Sequence, residues 1–549
     1  MPKTPLFRYL RRSLDLARVA NRTGVSSDEV VDRYRESAIP AEWSRISRRH
    51  FLGTTAAAAA FAACKKPPTA DIKKPDGPRE VAVIGAGVAG LTCAYRLHKA
   101  GVPVRVFEGQ NRVGGRMFSN RGTFPEGLVC ELGGELVDTG HEKLRGMCGE
   151  LGLELDDFQT DDPKLSNDVW FFDGKRIPDK SVVRAFTPIA AKMDEAWESI
   201  TGESVTYDAP NGGEAIDRMS IDEWLTQAGA TGWFKKLLDV GYNTEYGLEI
   251  GEQSAWNLLM LISTEPDPFR IFGDSDERFH IRGGNDQVPT LLGKALGDRV
   301  ETGTRLDSIT QTADGAFKLS LRRDATSRDV LADRVVMALP FSKLRELQVD
   351  VDLPAVKKKA IAELGYGTNA KLMVGFSERT WRTTGKSNGS VLTDLPFQLS
   401  WESTRLQPGK AGIMVAYGGG KHGVEMGTGT PAEQAEKFCR EFERVFPGSA
   451  DKRIGEVRFH WPSFEWMKGS YACYRPGQWT TICGAEGERV RNLHFAGEHT
   501  SIDFQGYMEG GCESGERVAQ EILVDLGLAQ PAAEEPEAAP AAEPYKATG

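Results

Sequence analysis

Three glycines, Gly85, Gly87 and Gly90, mark the first place in this sequence where residue type and spacing imply chemistry. They follow a short apolar, β-branched run, Glu80-Val81-Ala82-Val83-Ile84. Leu91, Ala94, Tyr95 and His98 then recur at helical spacing, and Gly101 stands where a helix would end. Val104-Arg105-Val106-Phe107 reads as a second strand, closing on Glu108. Strand, glycine turn, helix and strand in succession form the context in which G-x-G-x-x-G binds a dinucleotide. Gly85 permits the tight turn, Gly87 lets a pyrophosphate approach the backbone, and Gly90 lets helix pack on strand. The helix N-terminus then faces the phosphates. Glu108 is placed to accept hydrogen bonds from ribose hydroxyls. Just beyond it, Arg112, Gly114, Gly115 and Arg116 form a loop that offers backbone donors and two cations to a pyrophosphate. Far along the chain Lys371 interrupts an apolar alternation, where an ammonium must find a partner or lose its charge.

The remaining composition bounds what those residues can serve. The chain has 549 residues, of which 40% are hydrophobic and 27% charged. That balance excludes a mainly disordered chain and a polytopic membrane protein. A net charge of −10 argues against nucleic acid as a partner, because phosphate binding needs a basic surface. The 8 cysteines form no C-x-x-C pair and the 8 histidines no H-x-x-x-H pair, so no metal site is expected. Gly385-Lys386-Ser387-Asn388-Gly389 matches G-x-S-x-G, but no buried strand precedes it and it reads as a loop.

Both ends of the chain read as processing or solvent-facing segments. Ser47-Arg48-Arg49-His50-Phe51-Leu52-Gly53 leads into an Ala-rich apolar stretch ending at Cys64, and it resembles a twin-arginine export signal. Phe61-Ala62-Ala63-Cys64 is similar to a lipoprotein cleavage box, which leaves membrane attachment through a lipid on Cys64 open. Residues 1–64 are thus expected to be an extended signal region and 65–78 a Lys/Pro-rich linker. Residues 529–549, rich in Ala, Pro and Glu, are expected to be a disordered tail. The expected location is the periplasm or envelope, reached through the twin-arginine translocase.

The glycine fingerprint and the Arg-Gly-Gly-Arg loop together resemble the FAD-binding core of the flavin amine oxidases, which include monoamine, polyamine and L-amino-acid oxidases. An NAD enzyme is the alternative for the fingerprint alone. Further stretches carry the same resemblance. Glu131-Leu132-Gly133-Gly134-Glu135 is similar to the acidic–Gly–Gly segment beside the flavin, and His280 to Pro289 to a second Gly-Gly turn. Arg299-Val300-Glu301 resembles the strand whose backbone meets adenine at Val300. Asn492 to Ser501, with Gly497 and Glu498, resembles the late FAD motif, and Gly506-Tyr507-Met508 opens the last helix. The resemblance implies an α/β fold: a Rossmann-like domain of the two-dinucleotide-binding type, interleaved with an α+β substrate domain. The FAD domain is expected over 79–150, 276–345 and 485–528, and the substrate domain over 151–275 and 346–484.

What the family does implies roles for particular residues. Lys371 would hold a water against flavin N5 and assist reaction with O2. Tyr471 and Tyr507 would form two walls that orient an amine over the flavin. Hydride would pass from the amine α-carbon to N5, leaving an imine that water hydrolyses, while O2 becomes H2O2. Ser470 stands where some monoamine oxidases have the cysteine that bonds to FAD, so non-covalent FAD is expected. Glu135 and Leu136 follow Gly134, where several relatives place an arginine for a substrate carboxylate, which favours simple amines over amino acids. Arg270, Arg278 and Arg475 remain candidates for that arginine, so an L-amino-acid oxidase stays open. So does a flavin dehydrogenase or desaturase using another acceptor. Trp256, Phe269, Trp401, Trp461, Phe464 and Trp466 are candidates for the pocket wall.

Overall fold

The computed structural model describes residue 26 and residues 80–166, 169–202, 204–261 and 276–530. The expected signal region (residue 26 apart), the linker, the tail beyond 530, Phe269 and Arg270 lie outside the described residues.

Strand β1 (Val81–Ile84), helix α1 (Val88–Lys99) and strand β2 (Val104–Phe107) take the places that the hydrophobic pattern predicts. Every residue of β1 is buried. The reason is its position: β1 is the central strand of a five-stranded parallel sheet, flanked by Arg334–Met337 and β2. Leu493–Phe495 and Val300–Glu301 complete the two edges. A parallel sheet is covered on both faces, so its strands read as continuous apolar runs. One face packs under α1 and the closing helix Met508–Asp525. Those two helices approach closely because of glycine. A Cβ on Gly511 would sit 2.6 Å from Val88 Cγ1, and one on Gly515 would sit 2.4 Å from Ala89 O. The other face shares a core with a four-stranded sheet built from Thr304–Gln311, Phe317–Arg323, Thr326–Ala332 and Gln348–Asp350.

The second body is a seven-stranded mixed sheet. Ala370–Phe376 is paired on both sides within it, antiparallel to Gly412–Gly418 and to Arg453–His460. The side-chain period of two sorts this strand. Ala370, Leu372, Val374 and Phe376 enter the core with Phe438 and Phe442 of helix Pro431–Val445. Met373 enters the opposite core, against helices Asp179–Glu198 and Gly232–Tyr246, and Lys371 shares its face. The architecture is therefore α/β, with a Rossmann-like parallel-sheet domain interleaved with an α+β domain. Leu155–Asp157 pairs with Phe279–Ile281, so the chain leaves the first body after that strand. Among the described residues no helix is long and apolar enough to cross a membrane.

Candidate active site

A single cleft of about 530 Å³ draws its wall from Ile84 through to Gly511. Its floor at one end is the β1–α1 turn. Gly87 is the N-cap of α1 and supplies no side chain to cap the first amides. Those N–H groups have no intrahelical partner and face the cleft beside Val88 and Ala89. Gly85 adopts φ +102, and a Cβ there would lie 2.6 Å from Ala338 O, so the fold itself demands glycine. Gly87 differs. Its φ is −71 and a Cβ would meet nothing within 4 Å, yet it lines the cleft. The protein does not need glycine there, and a ligand backbone that passes close by would. Gly90 stands outside the wall; its Cβ would lie 2.1 Å from Gly85 O, so it serves the helix–strand contact.

Glu108 ends β2 at the cleft. Ala86 N–H donates to Oε2 at 2.7 Å and Gln110 N–H to Oε1 at 2.8 Å. Burial pushes the carboxyl above its usual range, against the pull of these two amides. Each oxygen keeps a further lone pair for a hydroxyl donor. Gly115 and Arg116 line the cleft, as do Gly133, Gly134, Gly497 and Glu498. Arg116 Nη1 donates at 2.8 Å both to Ser470 O and to Glu498 Oε1, and Gly506 N–H donates to Glu498 Oε2. That carboxylate thereby ties the early loop to the start of the closing helix. This helix has Tyr507 as its N-cap, with no side-chain cap, so a second positive helix end meets the cleft at Met508.

Besides Gly90, two expected cofactor residues lie outside the wall. The Arg112 guanidinium donates to Val113 O and Gly115 O and stacks on Phe118 at 4.0 Å, which braces the loop from outside the wall. Val300 pairs with Val106 in the sheet edge and is not in the wall. Thr304, Arg305 and Leu306 line that end instead, a few residues further along the chain. Val300–Glu301 is a strand, as expected, and Thr304–Gln311 is a separate strand beyond Gly303.

The opposite end is aromatic. Lys371, Trp401, Tyr417, Trp461, Tyr471 and Tyr507 line it. The hydroxyls of Tyr417 and Tyr471 are 2.7 Å apart, and the Tyr417 ring meets Trp401 edge-on at 5.3 Å. Tyr507 packs edge-on against His141 at 5.2 Å, and burial holds that imidazole down to about 3, hence neutral. Burial pushes the Tyr471 and Tyr507 hydroxyls well above their usual value. Lys371 Nζ contacts Glu135 Oε2 at 2.7 Å. Sequence reasoning missed Tyr417, whose signal was only its place opposite Lys371 in the ladder. It met Glu135 in the acidic–Gly–Gly segment and in place of an arginine, and gave it no role with Lys371.

Of the other wall candidates, Trp466 lines the cleft, while Trp256 is fully buried in a core away from it and Phe464 packs on Phe459. Arg278 pairs with Asp157 and Arg475 with Glu252, both outside the wall. Ser387 is buried in a loop after Thr380–Thr383, and not on a strand-to-helix turn. Ser470 Oγ donates to Asn369 Oδ1 at 2.6 Å. Among the described residues no group of three or more candidate ligands could hold a metal ion.

Two uncapped helix N-termini, a carboxylate at the end of β2, and a glycine-walled path to an aromatic pocket fit FAD. They define a dinucleotide-binding flavoprotein oxidoreductase. The family model described as flavin containing amine oxidoreductase matches residues 88–523, and the chain belongs to that family. It is 26% identical to a flavin-containing amine oxidase of Oncorhynchus mykiss over 467 residues, covering 82% of this chain and 86% of that one. The flavin-containing amine oxidase B of Homo sapiens is likewise 26% identical, over 469 residues, with the same coverage of 82% and 86%. Two solved structures share the fold. Cyclohexylamine oxidase from Brevibacterium oxydans IH-35A superposes with a TM-score of 0.72 at 24% identity, over 82% of this chain and 100% of that one. Putrescine oxidase bound to putrescine gives 0.70 at 21% identity, over 82% and 100%.

Proposed function

We propose that the chain oxidises amines that carry no carboxylate, using tightly but non-covalently held FAD, and that O2 reoxidises the flavin to yield H2O2. The observation that carries this reading is the aromatic end of the cleft, which Lys371, Tyr471 and Tyr507 all line. When bound there, FAD supplies a two-electron acceptor. The chain's own residues supply orientation and a dry, apolar surround. Desolvation favours the neutral amine, whose solution pKa is about 10, over the ammonium. Tyr417 fixes the Tyr471 hydroxyl and His141 abuts the Tyr507 ring, so both walls are held before substrate arrives. The amine gives up a hydride from its α-carbon, and the resulting iminium hydrolyses. Two electrons and two protons then reduce O2 to H2O2.

The arginines that line the cleft support simple amines. Arg116 is committed to Glu498 and Ser470 O, and Arg322 to Asp307 at the Leu306 end, where Arg305 also contacts Asp307. The test is anaerobic flavin bleaching by matched pairs, phenethylamine against phenylalanine and cadaverine against lysine. The amine of each pair should reduce the flavin at least tenfold faster, about 1.4 kcal/mol in the barrier. Faster reduction by both amino acids would make the enzyme an L-amino-acid oxidase. Bleaching without oxygen consumption on air exposure would favour the dehydrogenase reading.

Non-covalent attachment rests on the wall's chemistry. Among the described residues no cysteine and no histidine lines the cleft, and by resemblance Ser470 stands where some monoamine oxidases have the linking cysteine. Acid precipitation should leave the yellow colour in the supernatant. Flavin retained in the washed pellet would refute it.

A further inference from the structure

The charge at the aromatic end is carried by a pair. Lys371 Nζ lies 2.7 Å from Glu135 Oε2, 2.8 Å from Gly133 O and 3.2 Å from Glu131 O. An ammonium has three N–H donors, and these acceptors take all three. Both side chains are nearly buried, at 6% and 5% exposure, and both residues line the cleft. Burial opposes ionisation of Glu135, but Lys371's charge and hydrogen bond outweigh it and hold the carboxyl below its usual range.

Ser403 and His280 also favour the Glu135 carboxylate, and the remaining neighbours are engaged elsewhere. The Glu131 carboxylate is taken by Ser119 Oγ, His280 Nε2 and Asn285 N–H. The Cys130 thiol is pushed far up by burial and stays neutral. Tyr417 is opposite Lys371 in the sheet and bonds Tyr471, and the Trp401 ring lies 5.2 Å from Nζ.

We propose that Glu135 is the counter-ion of Lys371, and that the pair, not the lysine alone, sets the electrostatic field at the reacting end of the bound flavin and so its reduction potential. Two electrons and one proton enter the flavin on reduction, so it gains one negative charge. In a dry cleft a lone ammonium nearby would favour that charge and a lone carboxylate would oppose it. A close pair does little of either. This inference rests on FAD occupying the cleft, and not on which substrate the enzyme takes.

The experiment is a dye-coupled reductive titration of the holoprotein, with no amine present, on wild type, Glu135→Gln, Lys371→Met and the double variant. Glu135→Gln should shift the redox equilibrium at least tenfold toward reduced flavin, about 30 mV for a two-electron couple. Lys371→Met should shift it at least tenfold the other way. The double variant should return to within threefold of wild type. Single variants that move the potential in the same direction, or a double variant that keeps the full shift of Glu135→Gln, would overturn the proposal. Lys371→Met strands a buried carboxylate and is the variant at risk of not folding. Wild type, Glu135→Gln and the double variant still decide: the second substitution must undo the shift of the first. Because an added reductant, and not an amine, supplies the electrons to both dye and flavin, a protein that no amine bleaches can still pass or fail this test.

Discussion

Gly87→Val should give a protein that still folds without cofactor yet binds FAD at least a hundredfold more weakly. The backbone at Gly87 has φ −71, which valine adopts without strain, and the added Cβ meets nothing within 4 Å. The apo-protein should therefore lose only about 1 kcal/mol, the cost of a poor N-cap residue at the start of α1. The added side chain would occupy the space over the α1 N-terminus, where a pyrophosphate must come within hydrogen-bond distance of bare amides. A hundredfold loss is about 2.7 kcal/mol of binding free energy. Stabilisation by ligand should shrink with it, so the melting temperature of the holoprotein falls toward that of the apo-form. Gly90→Ala is the informative contrast. Its Cβ would lie 2.1 Å from Gly85 O and 3.1 Å from Val83 Cγ1, so it should destabilise the apo-protein itself. Titrating apo-protein with FAD by flavin fluorescence, alongside thermal melts, separates the two. Wild-type FAD affinity in Gly87→Val would show that no phosphate passes over that residue.

Why the turn at Gly87 was legible and the cleft edge at Thr304–Leu306 was not follows from the range of the interactions. The β1–α1–β2 unit is local: the turn, the cap and the two parallel strands are contiguous in sequence, so hydrophobic period and glycine spacing suffice. The strand near Val300 is short and lies at a sheet edge, and the bend at Gly303 starts a longer strand in a different sheet. Only pairing partners far along the chain decide which of the two borders the cleft. The aromatic end is non-local in the same way. Tyr417 and Tyr471 meet across 54 positions and Lys371 and Glu135 across 236, distances over which no periodicity carries information. Motif resemblance placed Lys371, Tyr471 and Tyr507 individually. It carried nothing about the pairing of Glu135, because a carboxylate after two glycines acquires that meaning only when a lysine from a distant strand reaches it. Arg112 shows the converse. A cation in a phosphate loop invites a phosphate contact, yet its donors go to the loop's own carbonyls, which a backbone this tight leaves unsatisfied.

Changing Arg48 and Arg49 together to Lys should abolish export of active enzyme and leave holoprotein in the cytoplasm. The pair stands before an Ala-rich apolar stretch, the pattern of a twin-arginine signal. The fold supplies an independent reason to propose that route. Cleft residues come from the first strand of the folded body, Ile84, and from its last helix, Gly511, with Glu135, Leu306, Lys371 and Tyr471 between them. Gly511 also packs on Val88, so the α1 end of the cleft is complete only after the closing helix has docked. No partial chain has the site. A route that threads unfolded chain would carry an apo-protein away from where its cofactor is made, whereas a route for folded cargo delivers it loaded. Lysine keeps the charge but loses the planar five-donor fork of arginine, so a receptor that reads the guanidinium pair should fail on the double variant. Fractionation should find flavin-loaded, active protein inside the cell and none outside. Normal export of active Arg48→Lys/Arg49→Lys protein would sink the proposal. Export of that variant without flavin would show instead that the chain crosses unfolded and acquires FAD later.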